Sequence, residues 1–353
     1  MAEKVLMKGN EALGEAALCA GCRFFFGYPI TPQTELAAYM AKKMPKIGGT
    51  FLQAESEIAS INMVLGAAAA GVRVMTSTSS PGISLMSEGI SYIAGCDLPA
   101  LIVNVQRGGP GLGGIQPSQS DYWQATKATG HGDFHLIVLA PSSVQEVVDL
   151  VFLAFDLADK YRMPSMVFSD GMLGQMMEPV LLPDMSFAKP VDKPWAVTGT
   201  QKKRKHNIVN SLYLDPKLLE QTNFERFERY AAIAENEQRW EEFMTEDAEY
   251  IVVAYGASSR ICRSAVVAAR AAGIKAGLLR PITLWPFVTK PIDKLSSTAK
   301  AFIAVEMSMG QMVEDVKLAV NGRLPVHFFG HTGGIIPTPD EVVNKIISVK
   351  EGR

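Results

Sequence analysis

Short runs of β-branched and aromatic residues alternate with helical patterns of roughly 10 to 15 residues along most of this chain, and no other feature restricts its fold as strongly. Residues 10–22 read as a helix, with Ala12, Leu13, Ala16, Ala17 and Ala20 on one face, and 23–26 as a strand. The pattern continues with a helix over 34–44, strand 50–53, helix 57–70, strand 73–76, helix 82–94 and strand 100–105. After a glycine-rich loop come strand 136–139, helix 143–159 and strand 165–168. Such alternation predicts an α/β fold built on a doubly wound, mostly parallel sheet. A second, smaller α/β unit is read from a buried-type strand at 250–255, a helix at 261–272 and further strands at 275–279, 301–305 and 326–329, with helices at 309–320 and 340–349. At 353 residues the chain is longer than most single cores, so two domains are expected. Their expected spans are 1–180 and 248–353. Between them, 183–205 carries Pro183, Pro190 and Pro194 and ends in Lys202-Lys203-Arg204-Lys205, while 216–246 mixes Leu218, Leu219, Phe224, Phe227, Ile233, Trp240 and Phe243 with many charges, suggesting a linker followed by amphipathic helices.

Three places carry candidate chemistry. The first is the window 50–89, where Glu55 and Glu57 stand at a helix start and are followed by Ala59, Ser60, Gly66 and the run Ala67 to Ala70. Small residues let such a helix pack close to another backbone or to a flat ligand, which would leave a carboxylate partly desolvated. Both acids are equally explained by the favourable helix dipole at an N-terminus, worth about 0.3 to 1 kcal/mol each. The second is Gln106 to Ser120, QRGGPGLGGIQPSQS, a long loop whose one strong charge is Arg107, just past a strand end. Arginine matches a carboxylate with two parallel hydrogen bonds, although a solvated loop arginine reads the same way in sequence. The turn Tyr28-Pro29-Ile30-Thr31-Pro32 also lies at a strand end, where open α/β sheets bind ligands.

Other classes fall away. A net charge of -2 offers no electrostatic footprint for nucleic acid or an anionic membrane, and the richest apolar stretch, 147–158, is broken by Asp149 and Asp156. A cytoplasmic location is expected, the first residues having no apolar core of signal-peptide type. No strand–helix unit carries G-x-G-x-x-G, and the glycine loop lacks the Gly-Lys-Ser/Thr ending of a phosphate loop. Cys19 and Cys22 form a C-x-x-C that closes a helix instead of opening one, against the order of thioredoxin-like dithiols. His131 and His135 are four residues apart but precede a strand, with Gly132 between them. Glu306 and His331 read as isolated titratable groups.

Taken in order, Tyr28-Pro29-Ile30-Thr31-Pro32, Glu55-Ser56-Glu57-Ile58-Ala59-Ser60, Thr76-Ser77-Thr78-Ser79-Ser80-Pro81-Gly82 and Gln106-Arg107-Gly108-Gly109-Pro110 resemble the thiamine-diphosphate-dependent 2-oxoacid:ferredoxin oxidoreductases, and the resemblance runs over essentially the whole chain. It is nearest to the subunit joining a pyrimidine-binding domain to a transketolase C-terminal-like domain. The loop Gly109-Pro110-Gly111-Leu112-Gly113-Gly114-Ile115-Gln116-Pro117-Ser118 is similar to that of the 2-oxoisovalerate enzymes. The resemblance implies that Glu57 contacts the aminopyrimidine ring of the cofactor, that Thr31 lies near cofactor and substrate, that Arg107 pairs with the substrate carboxylate, and that Tyr28, Pro29, Ile30, Ser79 and Ser80 border the cofactor. A carboxyl sharing a proton with the ring nitrogen would favour the imino tautomer and so the loss of the thiazolium proton. A Gly-Asp-Gly segment followed by a spaced Asn, which holds Mg²⁺ and diphosphate in this family, is missing here, and no cysteine run suits an iron–sulfur cluster. The resemblance therefore implies partners: a diphosphate-binding subunit with Mg²⁺, a gamma-type subunit and a ferredoxin-like subunit with the clusters. Substrates would be a branched 2-oxoacid, coenzyme A and ferredoxin. A 2-oxoglutarate or pyruvate enzyme and a non-catalytic assembly subunit stay open as alternatives.

Overall fold

The computed structural model describes residues 4–184 and 191–353; part of the proline-rich stretch expected as a linker, including Pro190, lies outside them. In chain order the elements are β1 (Val5–Lys8), α1 (Gly9–Cys19), β2 (Phe24–Gly27), α2 (Thr34–Lys43), β3 (Thr50–Gln53), α3 (Glu57–Ala69), β4 (Val74–Thr78), α4 (Pro81–Gly95) and β5 (Leu101–Gln106). They continue with α5 (Tyr122–Thr126), β6 (Ile137–Leu139), α6 (Val144–Tyr161), β7 (Ser165–Asp170), α7 (Gly171–Gln175), β8 (Met177–Val180) and α8 (Pro216–Asn236). The remainder comprises β9 (Trp240–Phe243), β10 (Tyr250–Val253), α9 (Gly256–Ala271), β11 (Ala276–Pro281), β12 (Thr283–Trp285), α10 (Thr289–Leu295), β13 (Ala301–Glu306), α11 (Met312–Val320), β14 (Val326–Gly330) and α12 (Pro339–Lys350).

Seven strands form the first sheet in the order β12-β6-β7-β5-β4-β2-β3, all parallel except β12. Strand alternation divides its core. On β5, Leu101, Val103 and Val105 join a cluster with α1, α2 and α6, whereas Ile102 faces the opposite cluster with α3 and α4. On that second face the strand ends turn polar: Asn104 and Gln106 follow Ile102, and Thr76 and Thr78 follow Val74, all buried. A row of buried polar groups along one edge of an apolar sheet places the candidate site at the carboxyl ends of the strands. Because β2 runs on to β3 on one side while β4 lies on its other side, the order of the sheet reverses between β2 and β4, and that is where doubly wound sheets open a crevice.

The second sheet, β14-β13-β10-β11-β9, is parallel except for β9. Helices α9 and α12 cover one face. The other face shares a single apolar cluster with the first sheet, in which Ile61, Ile102 and Phe168 stand with Val253, Tyr255, Leu279 and Phe302.

The sequence reading of helices over 216–246 is corrected here: α8 ends at Asn236 and the following residues form β9, antiparallel to β11. In Trp-Glu-Glu-Phe two adjacent acids stand between two aromatics, and an edge strand of four half-buried positions is too short to show a period of its own. Helix α9 starts at Gly256 instead of 261, because its first turn, Gly256 to Ser259, is small and fully buried. Unexpected from the pattern, β12 leaves the second sheet and pairs with β6 as the antiparallel edge of the first. It is three residues long with Pro281 and Pro286 around it, too short to register as a periodic run.

Candidate active site

Each candidate residue sits just beyond the carboxyl end of a parallel strand. Tyr28 to Thr31 follow β2, Glu57 follows β3, Ser79 and Ser80 follow β4, and Arg107 follows β5. The acids at the start of α3 have opposite surroundings. Ser56, not either glutamate, caps the helix, its Oγ accepting from the Ala59 N–H at 3.2 Å. Glu55 is exposed, whereas Glu57 is buried with 5% of its surface accessible, and among the described residues no donor reaches its carboxylate. Gly82, in the first turn of α4, allows this approach: a Cβ there would stand 2.8 Å from Glu57 Oε1 and closer still to Thr78 Oγ1. The hydroxyls of Thr78 and Ser79, both buried, have no hydrogen-bond partner among the described residues.

Arg107 is also buried, at 6% accessible. Its Nη1 donates to the Thr31 carbonyl at 2.9 Å and its Nη2 to the Leu112 carbonyl at 3.2 Å, while Nε is buried without a partner. The arginine thus draws the turn after β2 to the glycine loop. That loop closes on itself through a bridge between Arg107 and Pro117, the Gly108 N–H donating to the Gln116 carbonyl at 3.0 Å. Thr31 is exposed, as are Tyr28 and Pro29, and Ile30 is half-buried.

Behind these residues lies a polar network that sequence reasoning did not find. Asp121 Oδ2 accepts from Ser80 Oγ at 2.5 Å and from Asn104 Nδ2 at 3.0 Å. Ser80 Oγ in turn accepts from the Arg107 N–H at 3.1 Å, and Asn104 Oδ1 accepts from the Ser80 N–H at 3.1 Å. Burial pushes the Asp121 carboxyl above its ordinary value, while the hydroxyl, the amide and the Arg107 charge oppose that rise. The loop's far end is tied to the second sheet by Gln119, fully buried. Its Nε2 donates to the Tyr255 carbonyl at 2.9 Å, and its Oε1 accepts from Ser258 Oγ at 2.6 Å and from the Met307 N–H at 3.0 Å. Gly334, at φ 95°, brings the turn after β14 against Gln116. Polar residues inside an otherwise apolar strand, Asn104 and Gln106 in Leu-Ile-Val-Asn-Val-Gln, were the available sequence signal.

The other sequence candidates have structural roles. Cys19 and Cys22 are buried, and desolvation raises their thiols to about 11 and about 12, which disfavours the thiolate that redox chemistry needs. Among the described residues no three His, Cys, Asp or Glu side chains are grouped to hold a metal; His135 stacks on Trp285 and His131 lies within reach of Ser91 Oγ. Glu306 is fully buried and accepts from Ser308 Oγ and from the N–H groups of Gln311, Met312 and Val313, capping α11. His331 pairs with Glu341. The run 202–205 is exposed. No helix among the described residues is long and apolar enough to cross a membrane.

A thiamine pyrimidine is a flat ring with a nitrogen acceptor and an exocyclic amine donor. A buried carboxylate without a donor, beside two unpartnered hydroxyls at the sheet's switch point, suits such a ring. Comparison with known proteins identifies the family. Residues 15–245 match the family described as pyruvate flavodoxin/ferredoxin oxidoreductase, thiamine diphosphate-binding, and residues 248–342 match pyruvate:ferredoxin oxidoreductase core domain II. The chain is 52% identical to the ketoisovalerate oxidoreductase subunit VorB of Methanothermobacter marburgensis, covering 97% of this chain and 96% of that one. It is 38% identical to the 2-oxoglutarate synthase subunit KorA of the same organism, over 99% and 100% of the two chains. Among solved structures, the 2-oxoglutarate:ferredoxin oxidoreductase from Magnetococcus marinus superposes with a TM-score of 0.88 at 32% identity, over 99% of this chain and 65% of that longer one. The chain belongs to the 2-oxoacid:ferredoxin oxidoreductases, as a subunit carrying the family's thiamine-diphosphate-binding domain and core domain II.

Proposed function

We propose that this subunit supplies the pyrimidine-contacting and carboxylate-binding half of the active site of an enzyme acting on branched aliphatic 2-oxoacids such as 2-oxoisovalerate. The reaction converts the 2-oxoacid and coenzyme A into acyl-CoA and CO₂, releasing one proton and passing two electrons to ferredoxin. The observation that carries the reading is the buried Glu57 carboxylate, without a donor, set beside Thr78 and Ser79 on the strand edge that also presents Arg107. Thiamine diphosphate, held with its pyrimidine against Glu57 and the turn at Thr31, would supply a carbon nucleophile for the oxo group and a sink for the electrons of decarboxylation. Glu57 would share a proton with the pyrimidine nitrogen, and Thr31, with Tyr28, Pro29, Ile30, Ser79 and Ser80, would border the ring. Arg107 fixes the substrate carboxylate and so orients its oxo carbon. Partner chains bring Mg²⁺ and the diphosphate contacts, the iron–sulfur clusters and the gamma-type and ferredoxin-like subunits, and the complex works in the cytoplasm.

The branched-chain assignment rests on the glycine loop, whose exposed side chains include Leu112 and Ile115 and which offers no second cation for a distal carboxylate. The greater identity to the ketoisovalerate relative than to the 2-oxoglutarate one points the same way. The test is kcat/KM of the purified complex. It should be higher for 2-oxoisovalerate than for 2-oxoglutarate, and the reverse order would refute the assignment. Arg107→Lys should raise KM for the 2-oxoacid far more than for coenzyme A, since a point charge replaces a planar fork of donors.

A further inference from the structure

We infer that Asp121 is a positioning residue for the substrate carboxylate, holding Arg107 in place through Ser80; this rests on the reading of Arg107 given above. The chain of contacts is short and nearly closed. Asp121 Oδ2 receives the Ser80 hydroxyl at 2.5 Å, and the same hydroxyl oxygen receives the Arg107 N–H at 3.1 Å. Asn104 closes the ring, donating to Asp121 and accepting from the Ser80 N–H. A serine hydroxyl has one proton and can point it only one way at full strength. With Asp121 taking that proton, the oxygen lone pairs face the Arg107 amide, so the carboxylate sets the polarity of the serine as well as its rotamer.

Asp121 is itself held from the opposite side. Its N–H reaches Gln106 Oε1 at 3.4 Å, and the residues on either side are fastened to the second sheet: Gln119 as described, the Ser120 carbonyl by Gln311 Nε2 at 2.7 Å, and the Trp123 N–H by Gln311 Oε1 at 2.9 Å. The carboxylate therefore has little freedom to move toward Ser80; Ser80 and Arg107 adjust to it. A guanidinium that must meet a carboxylate with two parallel hydrogen bonds depends on such support, because an error of about 1 Å in placement can cost on the order of 100-fold in rate. Of the residues assigned to substrate or cofactor Asp121 hydrogen-bonds Ser80 alone, and it reaches Arg107 through that serine. Its effect should appear in substrate binding and leave coenzyme A untouched.

The experiment uses the reconstituted complex with Asp121→Ala, Asp121→Asn, Ser80→Ala, Arg107→Lys and the double variant Asp121→Ala/Ser80→Ala. KM for 2-oxoisovalerate, KM for coenzyme A and thiamine diphosphate retention are measured for each. Asp121→Ala should raise the 2-oxoacid KM by about tenfold, with coenzyme A KM and cofactor retention within about twofold of wild type. Asp121→Asn keeps an oxygen that can take the serine proton and should recover most of the loss. The double variant should be no worse than the more impaired single one, as two residues acting through one path require. If Asp121→Ala fails to assemble, Asp121→Leu, which keeps the volume but offers no acceptor, takes its place: a raised 2-oxoacid KM in Asp121→Leu with Asp121→Asn near wild type supports the relay, and equal KM values in the two overturn it. An unchanged 2-oxoacid KM in Asp121→Ala while Arg107→Lys raises it overturns the relay and leaves the arginine reading intact. No KM change in either variant overturns both.

Discussion

At the residue scale the telling contrast is between two glutamates two positions apart. Both stand at the start of one helix, and nothing in the local sequence separates them. In the fold Glu55 faces solvent and Glu57 is buried against the first turn of α4, because α3 packs toward α4 and successive residues of a helix start point in different directions. Glu57→Gln keeps the shape and removes the titratable proton. In the reconstituted complex, exchange of the thiazolium proton should slow by roughly 10² to 10⁴, the usual size of general acid–base contributions, while thiamine diphosphate stays bound. Glu55→Gln should exchange at the wild-type rate. Equal rates for all three proteins, or a slower Glu55 variant, would take the acid–base role away from Glu57. The candidate residues themselves were legible, since Glu57, Arg107 and Thr31 lie in motifs that a reader can match. Asp121 was not, because its importance depends on Ser80, 41 positions away, and on burial that only the closed loop creates.

Buried acids at this edge also tie elements together. Asp170 ends β7, accepts from the Leu173 N–H at 3.0 Å and so caps α7, and lies against the first turn of α9, which belongs to the other sheet. Burial pushes its carboxyl above the ordinary aspartate value, with backbone N–H groups of Leu173, Met172 and Ala257 opposing the rise. A folded state that binds the proton more tightly than the unfolded one loses stability as pH rises from the ordinary aspartate range, about 3.9, toward the raised value, and levels off above it. Asp170→Asn keeps a capping oxygen and removes the charge, so it should flatten part of that decline. Urea midpoints between about pH 4 and 7 would show this, and an unchanged slope would mean that Asp170 is charged in the fold without penalty. The parallel elements of both sheets were readable because each carries its own hydrophobic period. Capping acids such as Asp170 and Glu306 were not, since their partners are backbone groups that only the fold brings to them: the pattern shows no helix where α7 stands, and the helix read over 309–320 begins at Met312.

At the scale of the whole molecule, what the sequence concealed was the traffic between its two halves. Periodicity divides the chain cleanly near residue 248, yet β12 returns from the far half to complete the first sheet, Gln119 is fastened to the far half, and one apolar cluster serves both. Chemical denaturation followed by several probes should accordingly show one coincident transition, and two separate transitions would count against a shared core. The return of β12 also limits how such a subunit can be taken apart. A chain ended at 247 would keep every residue assigned to the pyrimidine but would leave β6 with a row of unanswered amides and carbonyls, an open invitation to pair with another copy. Gene fusion or fission at that seam is therefore not neutral: the two halves can be inherited, borrowed or engineered only together, or with a new strand grafted onto the edge that β12 now closes.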